Sequence, residues 1–162
     1  MTSIFIRNEI PEDGDAVWNV NMHAFGQSTE GNFVDAIRLS CPEAISFVAV
    51  EGDCVVGHIL FTPVTIDGSS IAGGMGLAPM SVLPEKQRLG IGSDLVYTLL
   101  DQLRKAGRPF VVVFGHPGYY LRFGYKPASQ YGMSSQWTGV PDEMFMILVL
   151  KEEVLKGVQG II

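Results

Sequence analysis

The chain has 162 residues, of which 47% are hydrophobic and 17% charged, and a net charge of −6. This composition is typical of a single folded domain over residues 1–162 and excludes a disordered chain. The net charge argues against nucleic acid and acidic membrane surfaces as partners, and no apolar run nears the roughly 18 residues of a membrane-spanning helix. The first residues show no secretory signal pattern, and the two cysteines, Cys41 and Cys54, make no disulfide framework, so we expect a cytoplasmic protein.

The first half of the chain predicts two helices between strands. Residues 3–8 alternate weakly and predict the first strand, and Pro11 with two acidic residues begins a helix. Residues 31–39 predict a second helix, with Phe33 among its inward-facing side chains. Apolar runs bounded by glycine-containing turns then predict three strands, at residues 45–51, 54–66 and 71–82.

The hydrophobic period changes in the second half. Residues 92–104 carry apolar side chains at helical spacing and predict a third helix, which Gly107 ends. The continuous apolar run at 109–115 predicts a strand that is buried on both faces and parallel to a neighbour. A short helix at 117–123 and a last strand at 144–150 complete the order. The predicted class is mixed α/β, with an antiparallel meander, one strand–helix–strand crossover and a closing strand.

The connection between the fourth strand and the third helix is the most informative segment. A strand ends at Pro84, a polar loop with two glycines follows, and a helix begins. Such a loop directs unpaired backbone N–H groups and the positive end of a helix dipole at one point, which favours a phosphate. Two familiar phosphate loops do not fit. The segment lacks the Lys-Ser/Thr pair of a P-loop, and Leu95 stands where a dinucleotide fingerprint has its third glycine.

A third pattern fits: Gln/Arg-x-x-Gly-x-Gly/Ala after a Val-x-Pro strand end. The matching residues are Val82, Pro84, Gln87, Gly90 and Gly92. This segment resembles the acetyl-CoA pyrophosphate loop of the GNAT family of N-acetyltransferases. The order of elements along nearly the whole chain is also similar to that family's. A further family-like block ends at Tyr125, and within it Tyr120 stands four residues before a Gly-aromatic pair.

The resemblance implies a fold, a reaction and a set of binding residues. The fold is the GNAT acyl-CoA N-acyltransferase fold, with about seven mostly antiparallel strands, a central parallel pair splayed for CoA and about four helices. The reaction is direct transfer of an acetyl group from acetyl-CoA to a primary amine of a small molecule or peptide. The cofactor-binding residues implied are Met80, Ser81 and Val82 beside the pantetheine, and Gln87, Arg88, Leu89, Gly90, Ile91, Gly92 and Ser93 around the pyrophosphate.

Two residues are candidates for acid–base catalysis. Tyr120 matches the family's general acid, which protonates the leaving thiolate, although a core tyrosine packing on Phe123 is the alternative. His116 follows the predicted central strand and can serve as a general base, although a structural histidine fits equally well. Residues 77–82 contain no acid, where some family members place a glutamate base. A base acting through water, or no base at all, therefore stays open.

Other features leave alternatives open. Two alternative functions remain: a catalytically inactive acyl-CoA-binding module and a transferase for longer acyl groups. Whether the protein forms a homodimer also stays open. Either Lys86 or Arg88 can reach a further phosphate, and Glu30 and Asp35 can bind a cationic acceptor. No metal-ligand spacing occurs, so no metal is expected, and His23 and His58 have no partner pattern.

Overall fold

The computed structural model describes residues 2–162. The strands are β1 (Ile4–Asn8), β2 (Ile45–Glu51), β3 (Cys54–Val64), β4 (Gly74–Val82), β5 (Phe110–Phe114), β6 (Lys126–Pro127), β7 (Met133–Ser134), β8 (Phe145–Val149) and β9 (Gly160–Ile161). The helices are α1 (Gly14–Phe25), α2 (Thr29–Ser40), α3 (Ile91–Lys105), α4 (Pro117–Tyr120) and α5 (Glu152–Leu155). Within residues 2–162, no helix combines the length and the apolar character needed to cross a membrane.

The main sheet has the mixed character that the sequence predicts. Across residues 2–162 it contains seven strands in the order β1-β2-β3-β4-β5-β8-β6, and β7 and β9 form a separate parallel pair. The pairs β1–β2, β2–β3, β5–β8 and β6–β8 are antiparallel, whereas β4 and β5 run parallel. The prediction of a mostly antiparallel sheet with one parallel pair in an α/β protein is therefore confirmed.

The parallel ladder between β4 and β5 is short. Its register contains the pairs Met75↔Val111, Gly76↔Val112 and Leu77↔Val113. The register ends two residues before Pro79, although β4 itself continues to Val82. Proline has no N–H to donate to a ladder, so its position suits the end of a paired segment.

Contacts divide the chain into two compact units. The first contains the residues up to Thr62 together with Ala78–Asp101. Its core includes a cluster that α1, α2, β2 and β3 share, formed by Val17, Val34, Val48, Val50 and Leu60. The prediction that Phe33 faces inward is wrong, because its side chain is 43% exposed and the neighbouring Val34 takes the buried position.

Helix α3 lies close against β3 in this first unit. Ile91 and Leu95 are 2% and 0% exposed. A Cβ atom on Gly57 of β3 would lie 3.1 Å from Leu95 Cδ1 and 3.2 Å from Ile91 Cγ2. Glycine at position 57 therefore permits the close approach that anchors the start of α3.

The second unit contains Pro63–Leu77 and Gln102–Ile162. Its core is centred on the β5–β8 pair, where Phe110 and Ile147 are fully buried together with Ile66. Close packing also requires Gly74, since a Cβ atom there would overlap the Phe110 ring. The short elements β6, β7, α5 and β9 were not predicted, because two to four residues carry no readable hydrophobic period.

Two leucines with opposite burial test this description of the core. Leu99 on α3 is fully buried, whereas Leu39 at the end of α2 is 90% exposed. We expect Leu99→Ala to lower the free energy of unfolding by about 2–5 kcal/mol, since it leaves a cavity in a packed core. Leu39→Ala should change it by less than about 0.5 kcal/mol. Urea denaturation measures both, and equal losses would contradict the burial of α3.

Candidate active site

The loop between β4 and α3 has the backbone geometry of an anion site. The Leu83 N–H donates to the Val56 carbonyl of β3 at 2.9 Å, which holds the end of β4 in place. Beyond it, Arg88 and Gly90 have φ angles of +63° and +90°. A non-glycine residue in this left-handed region is uncommon, and positive φ angles turn successive N–H groups toward a shared concavity. Two left-handed positions so close together favour a concave loop backbone of the kind that can face an anion.

The start of α3 continues this arrangement. The Asp94 N–H makes a helical hydrogen bond of 3.0 Å to the Gly90 carbonyl. The amides of Ile91, Gly92 and Ser93 come before it and have no acceptor inside the helix. Ile91 is buried and holds the helix on the core, while Gly92 and Ser93 are half-buried. The first turn of α3 is thus fixed in place and still open at its amide end.

The polar side chains of the loop differ in their partners. Gln87 Nε2 donates to the Val82 carbonyl at 3.1 Å, so this side chain fastens the loop to the end of β4. Lys86 pairs with Glu51 on β2 at 2.5 Å. Arg88 is exposed. Of the two basic residues considered for a further phosphate, Arg88 is therefore the better candidate, because Lys86 already has an acidic partner.

The three strand residues before the loop differ in burial. Ser81 and Val82 are 4% and 9% exposed, and Met80 is half-buried. The Ser81 hydroxyl has no hydrogen-bond partner among the residues that the structure describes. Leu89 is among the residues predicted to surround the pyrophosphate. Its side chain is 67% exposed and lies outside the core, so its contribution to the loop is its backbone.

Tyr120 lies in the second unit, in the last turn of α4. Its side chain is 8% exposed and packs edge-on against the Tyr119 and Tyr125 rings, at 5.0 and 5.6 Å between centroids. A Cβ atom on Gly115 would lie 2.6 Å from Tyr120 Cδ2, so glycine at 115 makes room for the ring. Burial, with a smaller contribution from Tyr119, raises the pKa of Tyr120 well above its usual range. The side chain is therefore a neutral phenol at physiological pH and can act as a proton donor.

His116 precedes Tyr120 by about one helical turn. Its carbonyl accepts hydrogen bonds from the Tyr119 and Tyr120 N–H groups, at 3.0 and 3.1 Å. The imidazole is exposed and does not cap α4. Its backbone thus helps to set the position of Tyr120, and its side chain stays accessible.

His58 has partners that its sequence context did not reveal. The side chain is fully buried on β3. Its Nε2 lies 2.9 Å from the Ser46 hydroxyl and 3.7 Å from the Glu9 carboxylate, and its Nδ1 lies 3.2 Å from Asn21 Nδ2. The sequence around His58 shows no partner pattern because its partners come from β2, α1 and the residue after β1, which are distant in sequence.

Hydrogen bonding determines the protonation of this cluster. Ser46 donates to the Glu9 carboxylate, so its oxygen accepts from His58 Nε2–H. Asn21 Nδ2 also donates to the Val17 carbonyl at 2.9 Å, which identifies the amide nitrogen as the group that faces His58 Nδ1. His58 is therefore a neutral imidazole with its proton on Nε2.

The pKa values of the cluster agree with this assignment. Burial opposes ionisation of Glu9, but its interactions with His58, Ser46 and Arg38 outweigh this effect and lower the Glu9 pKa to about 2. Burial lowers the pKa of His58, against a smaller opposing effect of Glu9. The cluster thus combines a charged carboxylate with a neutral histidine inside the first unit.

The acidic residues proposed for an acceptor have protein partners. Glu30 accepts hydrogen bonds from Gln27 at 3.0 and 3.2 Å, and Asp35 pairs with Arg38 at 2.5 Å. His23 is exposed and lies 2.7 Å from the Asn19 carbonyl in its own helix. Within residues 2–162, no three His, Cys, Asp or Glu side chains are grouped closely enough to hold a metal ion.

Comparison with known proteins finds a matching family model and related sequences. A family model described as an acetyltransferase (GNAT) domain matches residues 6–128. The chain is 29% identical over 160 residues to the uncharacterized N-acetyltransferase YhbS of Escherichia coli K12, covering 98% of this chain and 95% of that protein. It is 38% identical over 120 residues to YjhQ of the same organism, an uncharacterized N-acetyltransferase, covering 72% of this chain and 66% of YjhQ.

Two crystal structures are similar over most of the chain. The YhbS structure in complex with CoA superposes with a TM-score of 0.91 at 29% identity, covering 99% of this chain and 89% of that one. A GNAT family acetyltransferase from Brucella melitensis in complex with acetyl-CoA gives a TM-score of 0.76 at 37% identity, covering 92% of this chain and 89% of that one. The likeness therefore covers sequence and fold together.

The buried histidine predicts a pH dependence of stability. Because the pKa of His58 is lowered in the folded state, the unfolded chain binds a proton more readily, and stability falls as pH drops below about 6.5. Glu9, with a pKa of about 2, stays ionised throughout that range. We expect His58→Gln to flatten the pH dependence of the free energy of unfolding between about pH 7 and pH 5.5.

The matched control is His23→Gln, which changes an exposed histidine. Urea unfolding at several pH values measures both variants. An unchanged slope in His58→Gln, or an equal flattening in His23→Gln, would contradict the burial of a neutral His58.

Proposed function

Because the chain belongs to the GNAT family of N-acetyltransferases, we propose that it transfers the acetyl group of acetyl-CoA directly to a primary amine. The observation that carries this proposal is the β4–α3 loop, in which left-handed Arg88 and Gly90 lead into the open amides of residues 91–93. Two similar structures hold CoA or acetyl-CoA, and both molecules contain a pyrophosphate. Helix-start amides of this kind bind such anions.

In this proposal the loop binds the cofactor mainly through its backbone. The N–H groups of residues 88–93 surround the pyrophosphate, and Gly90 and Gly92 let it approach closely. Arg88 contributes a positive charge from the rim. Gln87 acts indirectly, since its hydrogen bond to Val82 holds the loop at the end of β4.

The pantetheine is proposed to lie along the last residues of β4. The register of β4 with β5 ends at Leu77, and the strand continues through Met80, Ser81 and Val82. Pro79 has no N–H to donate. Strand-like backbone beyond a short ladder can pair with an extended ligand in the way that a peptide adds to a sheet edge.

Tyr120 is proposed as the general acid. When the amine nitrogen bonds to the thioester carbon, the C–S bond breaks and the electron pair moves to sulfur. The Tyr120 hydroxyl donates its proton to that sulfur. The phenol is neutral at physiological pH, and burial makes it hold its proton more tightly. The same poorly solvated surroundings disfavour a free thiolate, so they also make the sulfur a better proton acceptor.

The amine must lose a proton before or during attack. His116 is the proposed acceptor of that proton, directly or through water, because its imidazole is exposed one turn before Tyr120. Residues 77–82 offer no carboxylate for this task. The buried His58 is not proposed for it, since Asn21 and Ser46 already occupy its two ring nitrogens.

Matched glycine substitutions test cofactor binding. Gly90 and Gly139 both have positive φ angles, +90° and +80°. A Cβ atom at either position would meet nothing within 4 Å. Alanine should therefore cost each variant a similar amount of folding stability, about 1 kcal/mol, from backbone strain alone.

Only Gly90→Ala should weaken acetyl-CoA binding, by about tenfold or more, because it disturbs amides that face the pyrophosphate. The measurement is the rise in melting temperature with increasing acetyl-CoA, which reports binding by mass action. No rise in the wild-type protein would refute the proposed function, and equal weakening in Gly139→Ala would refute the loop assignment.

Substitution of Tyr120 tests catalysis. Tyr120→Phe should lower kcat by about 100-fold or more while leaving the Kd for acetyl-CoA within about twofold, because only the proton donor is lost. Thiol release from acetyl-CoA with a panel of primary amines gives the rate. Tyr131→Phe, a half-buried tyrosine of the second unit, is the control and should keep its activity.

The outcomes of this assay separate the candidate functions. Binding of acetyl-CoA without thiol release for any amine would support the inactive acyl-CoA-binding module. A Tyr120→Phe enzyme with an unchanged rate would refute the assignment of the acid.

A further inference from the structure

Arg122 has a guanidinium group that the second unit holds in one orientation. Its Nε donates a hydrogen bond to the Tyr119 carbonyl at 3.1 Å. Its Cζ lies 4.0 Å from the centroid of the Tyr119 ring and 5.0 Å from that of the Phe123 ring. A cation over an aromatic face is attracted by the electrons of the ring. One hydrogen bond and two ring contacts thus order a side chain of an exposed residue.

Arg122 lacks a carboxylate partner among the residues that the structure describes. Arg7 and Arg38 of the first unit both pair with carboxylates, whereas no Asp or Glu oxygen of residues 2–162 lies within 4.0 Å of the Arg122 nitrogens. The hydrogen bond to Tyr119 uses Nε, which leaves the Nη1 and Nη2 hydrogens to donate to a ligand. These donors form a planar fork that matches the two oxygens of a carboxylate.

The chain around Arg122 has the charge that such a ligand requires. Residues 102–141 contain five basic residues and no Asp or Glu, although the whole chain has a net charge of −6. This stretch includes β5, α4 and β6. A surface of one sign raises the local concentration of ligands of the opposite sign. The second unit therefore favours an anionic group beside Arg122.

Arg122 is also close to the residue proposed as general acid. The Tyr119 ring contacts the Tyr120 ring, with 5.0 Å between the centroids. The Arg122 Cζ lies 4.0 Å from the same Tyr119 centroid, so it is no more than about 9 Å from the Tyr120 centroid. An amine and a carboxylate joined by a few carbon atoms span such a distance. The ribose phosphate of CoA is at the opposite end of the cofactor from the sulfur, so the acceptor is the nearer source of an anion.

We propose that Arg122 binds a carboxylate of the amine acceptor, which makes the acceptor an ω-amino acid or a similar primary amine with a carboxylate several bonds away. The inference rests on the proposed function, in which Tyr120 protonates the sulfur. The guanidinium holds the carboxylate in two hydrogen bonds while the amine at the other end reaches the thioester carbon. Arg122 does not touch the reacting atoms, so it determines specificity.

Matched amines test this assignment. We compare ω-aminobutyrate with butylamine and ω-aminohexanoate with hexylamine, which differ in the carboxylate. The wild-type protein should use at least one of the two amino acids with a kcat/KM about tenfold or more above that of its neutral partner, because a bidentate charged contact is added. Arg122→Gln should lose this preference and keep its kcat/KM for the neutral amines within about twofold. Thiol release from acetyl-CoA gives the rates.

Two further variants serve as controls. Arg122→Lys keeps the charge but loses the planar fork, so its preference for the amino acid should be intermediate. Lys126→Gln removes a positive charge from an exposed position on β6 and should keep the wild-type preference. Because Arg122 and Lys126 are both exposed, these substitutions leave no cavity, and the melting temperature of each variant checks that it folds.

A binding measurement tests the site without turnover. Calorimetric titration of ω-aminobutyrate and of ω-aminohexanoate into the protein saturated with CoA gives the Kd of each. At least one of them should bind the wild type about tenfold or more tightly than it binds Arg122→Gln. Weak binding that is equal in the two proteins would overturn the inference.

The remaining outcomes separate this inference from the proposed function. A preference for the amino acids that survives Arg122→Gln would overturn the assignment of Arg122. An Arg122→Gln variant that loses affinity for CoA, keeps its affinity for dephospho-CoA and shows an unchanged amine preference would also overturn it, since the guanidinium would then bind the ribose phosphate. Absence of thiol release with every amine would refute the proposed function, while the calorimetric titration would still decide whether Arg122 binds a carboxylate.

Discussion

The first turn of an α-helix has N–H groups that its own backbone cannot satisfy, and the proposed binding of the cofactor depends on where α3 exposes them. Ile91 ties the helix to the core, close against Gly57 of β3. Gln87 ties the preceding loop to the end of β4. Between these two anchors, Arg88 and Gly90 adopt left-handed conformations.

Buried polar groups divide into two kinds in this structure. The Glu9–Ser46–His58–Asn21 cluster is hydrogen-bonded except at Asn21 Oδ1, and it combines a charged carboxylate with a neutral imidazole whose proton position follows from its partners. Such a network is best explained as part of the core of the first unit. The phenols of Tyr120 and Tyr125 differ, because burial raises both pKa values and Tyr125 has no protein partner among the described residues.

Much of the architecture was predictable because it depends on local patterns. The helical spacing of apolar residues predicted α3 within one residue at each end, and the run at 109–115 predicted the central parallel strand. Exposure on an amphipathic helix was less predictable: Phe33 is exposed although it neighbours Val34, which is buried. Helical periodicity locates the buried stripe, but tertiary packing decides which residue at its border is covered.

The sequence by itself determined the order of the elements, the glycine loop before α3 and the spacing of Tyr120 from the Gly-aromatic pair, because each of these lies within a short stretch of chain. Only the tertiary structure decided which side chains become partners. Lys86 is paired with Glu51, whereas Arg88 is exposed. His58 contacts Glu9, which lies 49 positions earlier in the chain, and the Tyr125 ring packs edge-on against the Tyr120 ring. The physical reason is that hydrogen bonding and desolvation depend on distance in space, which the sheet order sets and no local pattern records.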